Sequence, residues 1–234
     1  MAFVLKGGNM ISKKLRISLL ILTFSLLALI GTIKLRADFL EDKEREAAIA
    51  ELRPVRDVWH ENVKAIEAAL RQHPTASKLP DPYVIAGLIY DLSNQFKDEG
   101  ITVPIILGLI ETESGFNVMA VCVATPNPSS YGLTQLTMDT ARPYLRYSGL
   151  KATKANLFDP VTNLSIGVEV LADNVRKMRV RNIPRDLVMD YAFGVYNMGE
   201  SGFFKHMDGN RPGGVARKYI ALQHKHQQNW SSLR

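Results

Sequence analysis

Two carboxylates, Glu111 and Glu113, close the run PIILGLIETES at residues 104 to 114. Ile106, Leu109, Ile110 and Glu113 fall at i, i+3, i+4 and i+7, so on a helix they share one face. Glu113 thus prolongs an apolar stripe, while Glu111 points roughly the other way and is expected to meet solvent. No Lys or Arg stands between Lys97 and Arg142 to pair locally with Glu113. Burial without a cation disfavours the charged carboxylate and raises its pKa. A carboxyl still protonated near neutrality can hand its proton to a leaving oxygen. The alternative is a carboxylate solvated at a fraying helix end beside Gly115, and the stripe alone leaves both readings open.

The helix that must carry this group starts at Pro104, which suits a first turn, and stops at Gly115. Around it run four segments in order. Glu113-Ser114-Gly115-Phe116-Asn117 comes first, then Gly132-Leu133-Thr134-Gln135, then Asp159-Pro160 with Asn163 and Gly167, and last Val195-Tyr196-Asn197-Met198-Gly199. Taken together they resemble the SLT-type lytic transglycosylases, a family that cuts the glycan strands of bacterial peptidoglycan. The resemblance covers roughly residues 85 to 228. It implies an all-α, lysozyme-like domain with little or no β-structure and a glycan cleft between lobes. Glu113 falls on the family's catalytic Glu, Ser114 follows it, Gln135 falls on a cleft amide, and Tyr196 and Asn197 on a cleft-lining pair.

These positions suit the chemistry. Gln and Asn offer donors and acceptors to N-acetyl and hydroxyl groups of a sugar, and a tyrosine hydroxyl can orient a carboxylic acid. Tyr196 could equally pack in the core with Ala192 and Val195, and Gln135 could be a surface amide. Departures from the family pattern are Thr134 for Met, Val195 and Met198 for Ala, and a longer loop before Tyr131. Cys122, Ser129 and Ser130 compete for a serine that the family often has there. Some members carry a second Glu just before the last helix; here Val215 stands near that place. Glu113 is then the single catalytic carboxylate. Ordinary glycosidases use a pair. The resemblance implies that the N-acetyl group of N-acetylmuramic acid supplies the missing partner and that its 6-hydroxyl closes a 1,6-anhydro ring. A hydrolytic muramidase of the same fold and a non-catalytic peptidoglycan-binding scaffold are the competing readings.

Of 29 Lys and Arg against 23 Asp and Glu, the excess of six is held entirely by Lys6, Lys13, Lys14, Arg16, Lys34 and Arg36. The remainder is formally neutral, which argues against a nucleic-acid partner. Hydrophobic content of 46% with 22% charged residues excludes wholesale disorder. Cys122 is the lone cysteine, so no disulfide forms within the chain. Residues 17 to 33 (ISLLILTFSLLALIGTI) carry no charge and as a helix would rise ~26 Å, close to a bilayer core. A retained transmembrane anchor is the expectation; a cleaved signal or a buried helix are alternatives. Lysines before it favour a cytoplasmic N-terminus in a bacterial inner membrane, with the large domain in the periplasm. The expected partners are peptidoglycan strands, that membrane and an envelope-spanning secretion or conjugation complex.

Around the anchor, residues 1 to 16 read as a basic tail, 34 to 82 as a helical stalk and linker bent near Pro54, and 83 to 234 as the catalytic domain. Residues 120 to 133 read as loop, and further helices are expected from Thr137, from Asp159-Pro160 to Met178, from Pro184 to Gly199, and over 214 to 228. His224 and His226 cannot share a helical face, and HExxH, Cys-cluster and glycine-rich phosphate motifs are missing, so neither metal nor cofactor is expected. Asp186 and Asp190 are read as capping or solvated groups.

Overall fold

The computed structural model describes residues 42–123, 129–209 and 211–233. The expected anchor at 17–33 and the basic tail lie outside these residues. Among the described residues no helix is long and apolar enough to cross a membrane. The chain divides into two compact units, Met1–Trp59 and His60–Arg234.

Within the first unit the description begins with helix α1 (Asp42–Gln72), which ends in the second. The expected bend at Pro54 is not a break, since the helix runs through it. Proline removes one helical hydrogen bond, but the carbonyl deprived is that of exposed Ala50, where water can replace the donor. Val55 and Val58 are exposed here.

The second unit is mostly helical. From its start the stretch expected as stalk contributes to the core, because Val63, Ile66 and Leu70 are buried. A short 3₁₀ turn (Ala76–Lys78) follows, and α2 (Pro82–Gln95) opens with Pro82 in its first turn and the Asp81 carboxylate accepting from Val84 N. Helix α3 (Val103–Ser114) buries every residue from Val103 to Ile110 except Ile105, and ends at Gly115 with φ +56°. Only glycine adopts that left-handed stop without penalty.

The region expected as loop contains three two-residue strands, β1 (Val121–Cys122), β2 (Ser130–Tyr131) and β3 (Leu136–Thr137). They pair antiparallel in that order, with Val121 opposite Tyr131 and Tyr131 opposite Leu136. Strands of two residues have no room for alternation, so no period-2 pattern marks them. Then come α4 (Met138–Tyr147), α5 (Lys154–Phe158), α6 (Pro160–Val180), α7 (Val188–Met198), α8 (Glu200–Lys205) and α9 (Gly214–Asn229). Asp159 caps α6 by accepting from Thr162 N at 2.7 Å. The helix expected from Pro184 starts instead at Val188, after a turn in which Leu187 N donates to Pro184 O.

Helix α3 packs chiefly on α9, α6 on α7, and α9 also on α7, while α2 lies against α3 and α6. The α3–α9 approach depends on Gly108, where a Cβ would sit 2.9 Å from Gln227 Cγ. A satellite core of Tyr131, Leu136, Ala141, Leu145, Leu157, Ile166 and Val170 lies under the hairpin, with Tyr196 packed at its edge.

Candidate active site

Glu113 sits in the last turn of α3. Its stripe neighbours Ile106, Leu109 and Ile110 are fully buried, and Glu113 itself is partly so. The carboxylate Oε1 accepts a hydrogen bond from the Tyr219 hydroxyl of α9. Burial pushes the Glu113 pKa from the ordinary 4.5 up to about 7, and the bond from Tyr219 acts in the opposite direction. Desolvation exceeds the one phenolic bond because no cation offsets it.

Tyr219 is held from behind. Gln223, one turn later on α9 and fully buried, donates from Nε2 to Tyr219 Oη at 3.0 Å. Burial, and then the charge of Glu113, raise the Tyr219 pKa well above its ordinary value, so the phenol stays neutral and keeps its proton. Tyr196, from α7, is raised by the same two causes in the same order. Its hydroxyl donates to the Thr134 carbonyl at 2.8 Å, so its contact with Glu113 is electrostatic rather than a bond to the carboxylate.

Thr134 lies in the turn between β2 and β3, where Gly132 (φ +78°) and Gln135 (φ +50°) are both left-handed. Helix α6 fixes this turn. Asn163, fully buried, accepts from Thr134 N and Oγ1, both at 2.8 Å, and donates to Tyr131 O at 2.9 Å and Leu157 O at 2.8 Å. All the amide's capacity is spent on the turn, as a buried polar side chain requires. One helical turn on, a Cβ at Gly167 would lie 2.2 Å from Thr134 Oγ1. The spacing of Asn163 and Gly167 is therefore that of a bond and a gap against the same threonine.

The remaining expected site residues are placed as follows. Gln135 donates to Ala120 O at 3.2 Å and Gly132 O at 2.8 Å and accepts from Ser130 Oγ at 2.9 Å, so its amide braces the hairpin. Of Cys122, Ser129 and Ser130, it is Ser130 that joins this group; Cys122 is exposed. The Ser114 hydroxyl bonds back to Ile110 O at 3.2 Å within its own helix. Asn197 is exposed at the end of α7. Val215 is 65% exposed, and no acid stands in its place.

Glu111 differs from its expectation. Its side chain is only 13% exposed rather than solvated. It accepts from Trp230 Nε1 at 2.8 Å and Asn229 Nδ2 at 3.2 Å, with His73 Nε2 at 3.6 Å and His226 Nε2 at 3.8 Å. Helical geometry did turn it away from Glu113, but toward the chain's C-terminal segment. Asp190 likewise does more than solvate a helix start, since it meets His224 Nε2 at 2.7 Å. Among the described residues, no group of three or more His, Cys, Asp or Glu could hold a metal ion.

Glu113, Tyr196, Tyr219, Gln223 and the Thr134 carbonyl thus converge from four elements. The profile of the transglycosylase SLT domain family matches residues 93–210. The chain belongs to that family. No curated protein matches it. The matched SLT region contains Glu113, the hairpin, the Asn163–Gly167 clamp and Tyr196, but stops before α9. Tyr219 and Gln223, which complete the surroundings of Glu113, lie beyond it, and both escaped the motif reading. A signal existed: Ala216, Ile220 and Gln223 are spaced as one buried helical face. A polar residue on such a face calls for a partner, by the logic already applied to Glu113. The SLT family assignment makes this a transglycosylase-type domain acting on peptidoglycan strands.

Proposed function

We propose that this chain is a membrane-anchored lytic transglycosylase that cleaves the β-1,4 bond between N-acetylmuramic acid and N-acetylglucosamine, with Glu113 as the single acid/base. The observation that carries the reading is a carboxyl held at about 7 by burial, with one neutral phenol as its hydrogen-bond partner. Glu113 gives its proton to the glycosidic oxygen as the C1–O bond breaks, and the N-acetyl carbonyl oxygen of the muramic residue bonds to C1. The resulting Glu113 carboxylate then takes the proton of the 6-hydroxyl, whose oxygen displaces the N-acetyl oxygen at C1. A 1,6-anhydro end forms, Glu113 is protonated again, and no water is consumed. Gln135, Ser114 and Asn197 line the sugar's path, and Tyr196 orients the acid electrostatically.

The uncharged run at 17–33 with its preceding lysines supports an inner-membrane anchor, a cytoplasmic N-terminus and a periplasmic catalytic domain. We place the enzyme in the service of an envelope-spanning secretion or conjugation machine, where local opening of the wall is needed.

The test is mass spectrometry of fragments released from purified peptidoglycan by wild type and by Glu113→Gln. Anhydro ends from the wild type and a loss of about 10²–10³-fold in Glu113→Gln are expected, the range for a removed general acid/base. Reducing ends, heavier by one water, would make the enzyme a hydrolase. An undiminished rate in Glu113→Gln would remove this residue from the chemistry.

A further inference from the structure

Gln223 is an unusual choice for its position. The residue is fully buried on the α9 face toward α3, where a leucine would fill the space without polar atoms to satisfy. Its Nε2 reaches Tyr219 Oη at 3.0 Å, yet its Oε1 is buried with no hydrogen-bond partner among the described residues. An orphaned buried acceptor is destabilising, so packing alone does not account for the amide.

A carboxamide differs from every apolar alternative in one respect. It is a donor at one end and an acceptor at the other, in nearly the same shape. Tyr219, with one proton and a free lone pair, is two-faced in the same way. The three groups therefore form a chain with a direction. As the structure stands it runs Gln223 N–H to Tyr219 O–H to Glu113 carboxylate, which suits the ionised acid. When Glu113 carries its proton, the acid must donate to Tyr219 Oη, and the phenolic proton must turn away from it. It then needs an acceptor on the Gln223 side. Rotation of the amide about its last torsion brings Oε1 into the place of Nε2 with no change in volume.

We infer that Gln223 is a positioning residue, a buried reversible amide that lets Tyr219 donate to the Glu113 carboxylate and accept from the Glu113 acid in turn. The inference rests on the reading in which Glu113 serves first as acid and then as base, since only that cycle needs both directions. It adds a residue outside the matched family region to the machinery. The titratable groups acting electrostatically with Glu113 are Tyr219 from α9 and Tyr196 from α7.

Removing the amide affects the two states unequally. The ionised state keeps its bond from Tyr219. In the protonated state the phenolic proton of Tyr219 is left buried with no acceptor, the more costly defect. Protonated Glu113 is then disfavoured.

The experiment follows the Glu113 side-chain carboxyl by ¹³C NMR against pH in the full chain, together with the pH profile of fragment release from peptidoglycan. The chains are wild type, Gln223→Leu, Gln223→Met, Tyr219→Phe, and the double variant Tyr219→Phe/Gln223→Leu. Gln223→Leu and Gln223→Met are expected to fold, to lower kcat about tenfold with KM within about twofold, and to move the Glu113 midpoint and the alkaline limb to lower pH. That loss is a fraction of the ~10²–10⁴ a placed acid/base supplies. In the Tyr219→Phe background, Gln223→Leu is expected to move neither quantity, because the amide acts through the phenol. An unmoved midpoint and unchanged limbs would overturn the inference, as would an equal movement in the Tyr219→Phe background. Loss of fold in both single Gln223 variants would make the amide a structural strut and overturn it as well. The NMR midpoint does not depend on turnover. A wild type that releases nothing from peptidoglycan would therefore sink the transglycosylase reading without touching the titration result.

Discussion

Replacing Glu113 by Gln is expected to abolish activity and yet to stabilise the fold above neutral pH. Burial raises the folded-state pKa from 4.5 to about 7. Between those values the folded chain binds a proton that the unfolded chain has released, so stability falls as pH rises through that window. The stability associated with the neutral acid is full below about pH 4.5 and is gone once pH passes about 7. Each pKa unit is worth about 1.4 kcal/mol, so the ionised enzyme carries a penalty of about 3 kcal/mol at pH 8 and below about 1 kcal/mol at pH 5. Glutamine has the same shape, still accepts from Tyr219, and never ionises. The stability gap between Glu113→Gln and wild type should therefore widen by about 2 kcal/mol from pH 5 to pH 8. For a unit of this size that is about 4–8 °C in Tm. Thermal or urea unfolding at the two pH values measures it directly. An equal gap at both, or a variant less stable than wild type at pH 8, would refute a carboxyl held in its neutral form by burial.

Two further substitutions probe the clamp on the hairpin. Gly167→Ala places a methyl 2.2 Å from Thr134 Oγ1, and since Thr134 is tied on its other side by Asn163 it has nowhere to yield. Overpacking of this kind costs about 1–3 kcal/mol, and urea unfolding should find it together with a fall in kcat, because the Thr134 carbonyl anchors Tyr196. Asn163→Ala leaves the Thr134 N–H and the carbonyls of Tyr131 and Leu157 without their buried partner. A loss of about 3 kcal/mol or more is expected in the same assay, and a loss under about 1 kcal/mol would mean that water replaces the amide.

Where side chains repeat with the helical period over ten residues or more, the sequence was legible. The stripe from Ile106 to Glu113, the stop at Gly115, the start of α6 at Asp159-Pro160 and the last helix were readable because each depends on neighbours along the chain. The hairpin was not: its strands are two residues long, and its geometry depends on left-handed residues at 132 and 135 and on an asparagine about thirty residues away. The fate of α1 beyond His60 was hidden for a related reason. Val63, Ile66 and Leu70 form a stripe whether they face a core or a partner, and only the rest of the fold says which. Gln135 shows how a correct motif can carry an incomplete role. An amide placed at a cleft by spacing is engaged here by Ala120 O, Gly132 O and Ser130, none of which spacing could reveal.

Glu111 and Glu113 are two residues apart on one helix, and the last helix with the residues just after it supplies partners to both. To Glu113, α9 offers one neutral phenol backed by an amide, against an apolar stripe that keeps water away. To Glu111, the C-terminal segment offers an indole N–H and an asparagine amide, with His73 and His226 close by. Electrostatic stabilisation of a carboxylate grows with the number of donors and falls with apolar contact. Chemically identical groups thus take different work, one holding the chain's end in place and the other free to exchange a proton. A helix periodicity of 3.6 makes the division possible, because a displacement of two positions turns a side chain through most of a half circle. Moving the acid to position 111 by the paired exchange Glu111→Gln and Glu113→Gln would therefore leave a carboxamide at each site. No group would remain at either that could give a proton to a sugar oxygen.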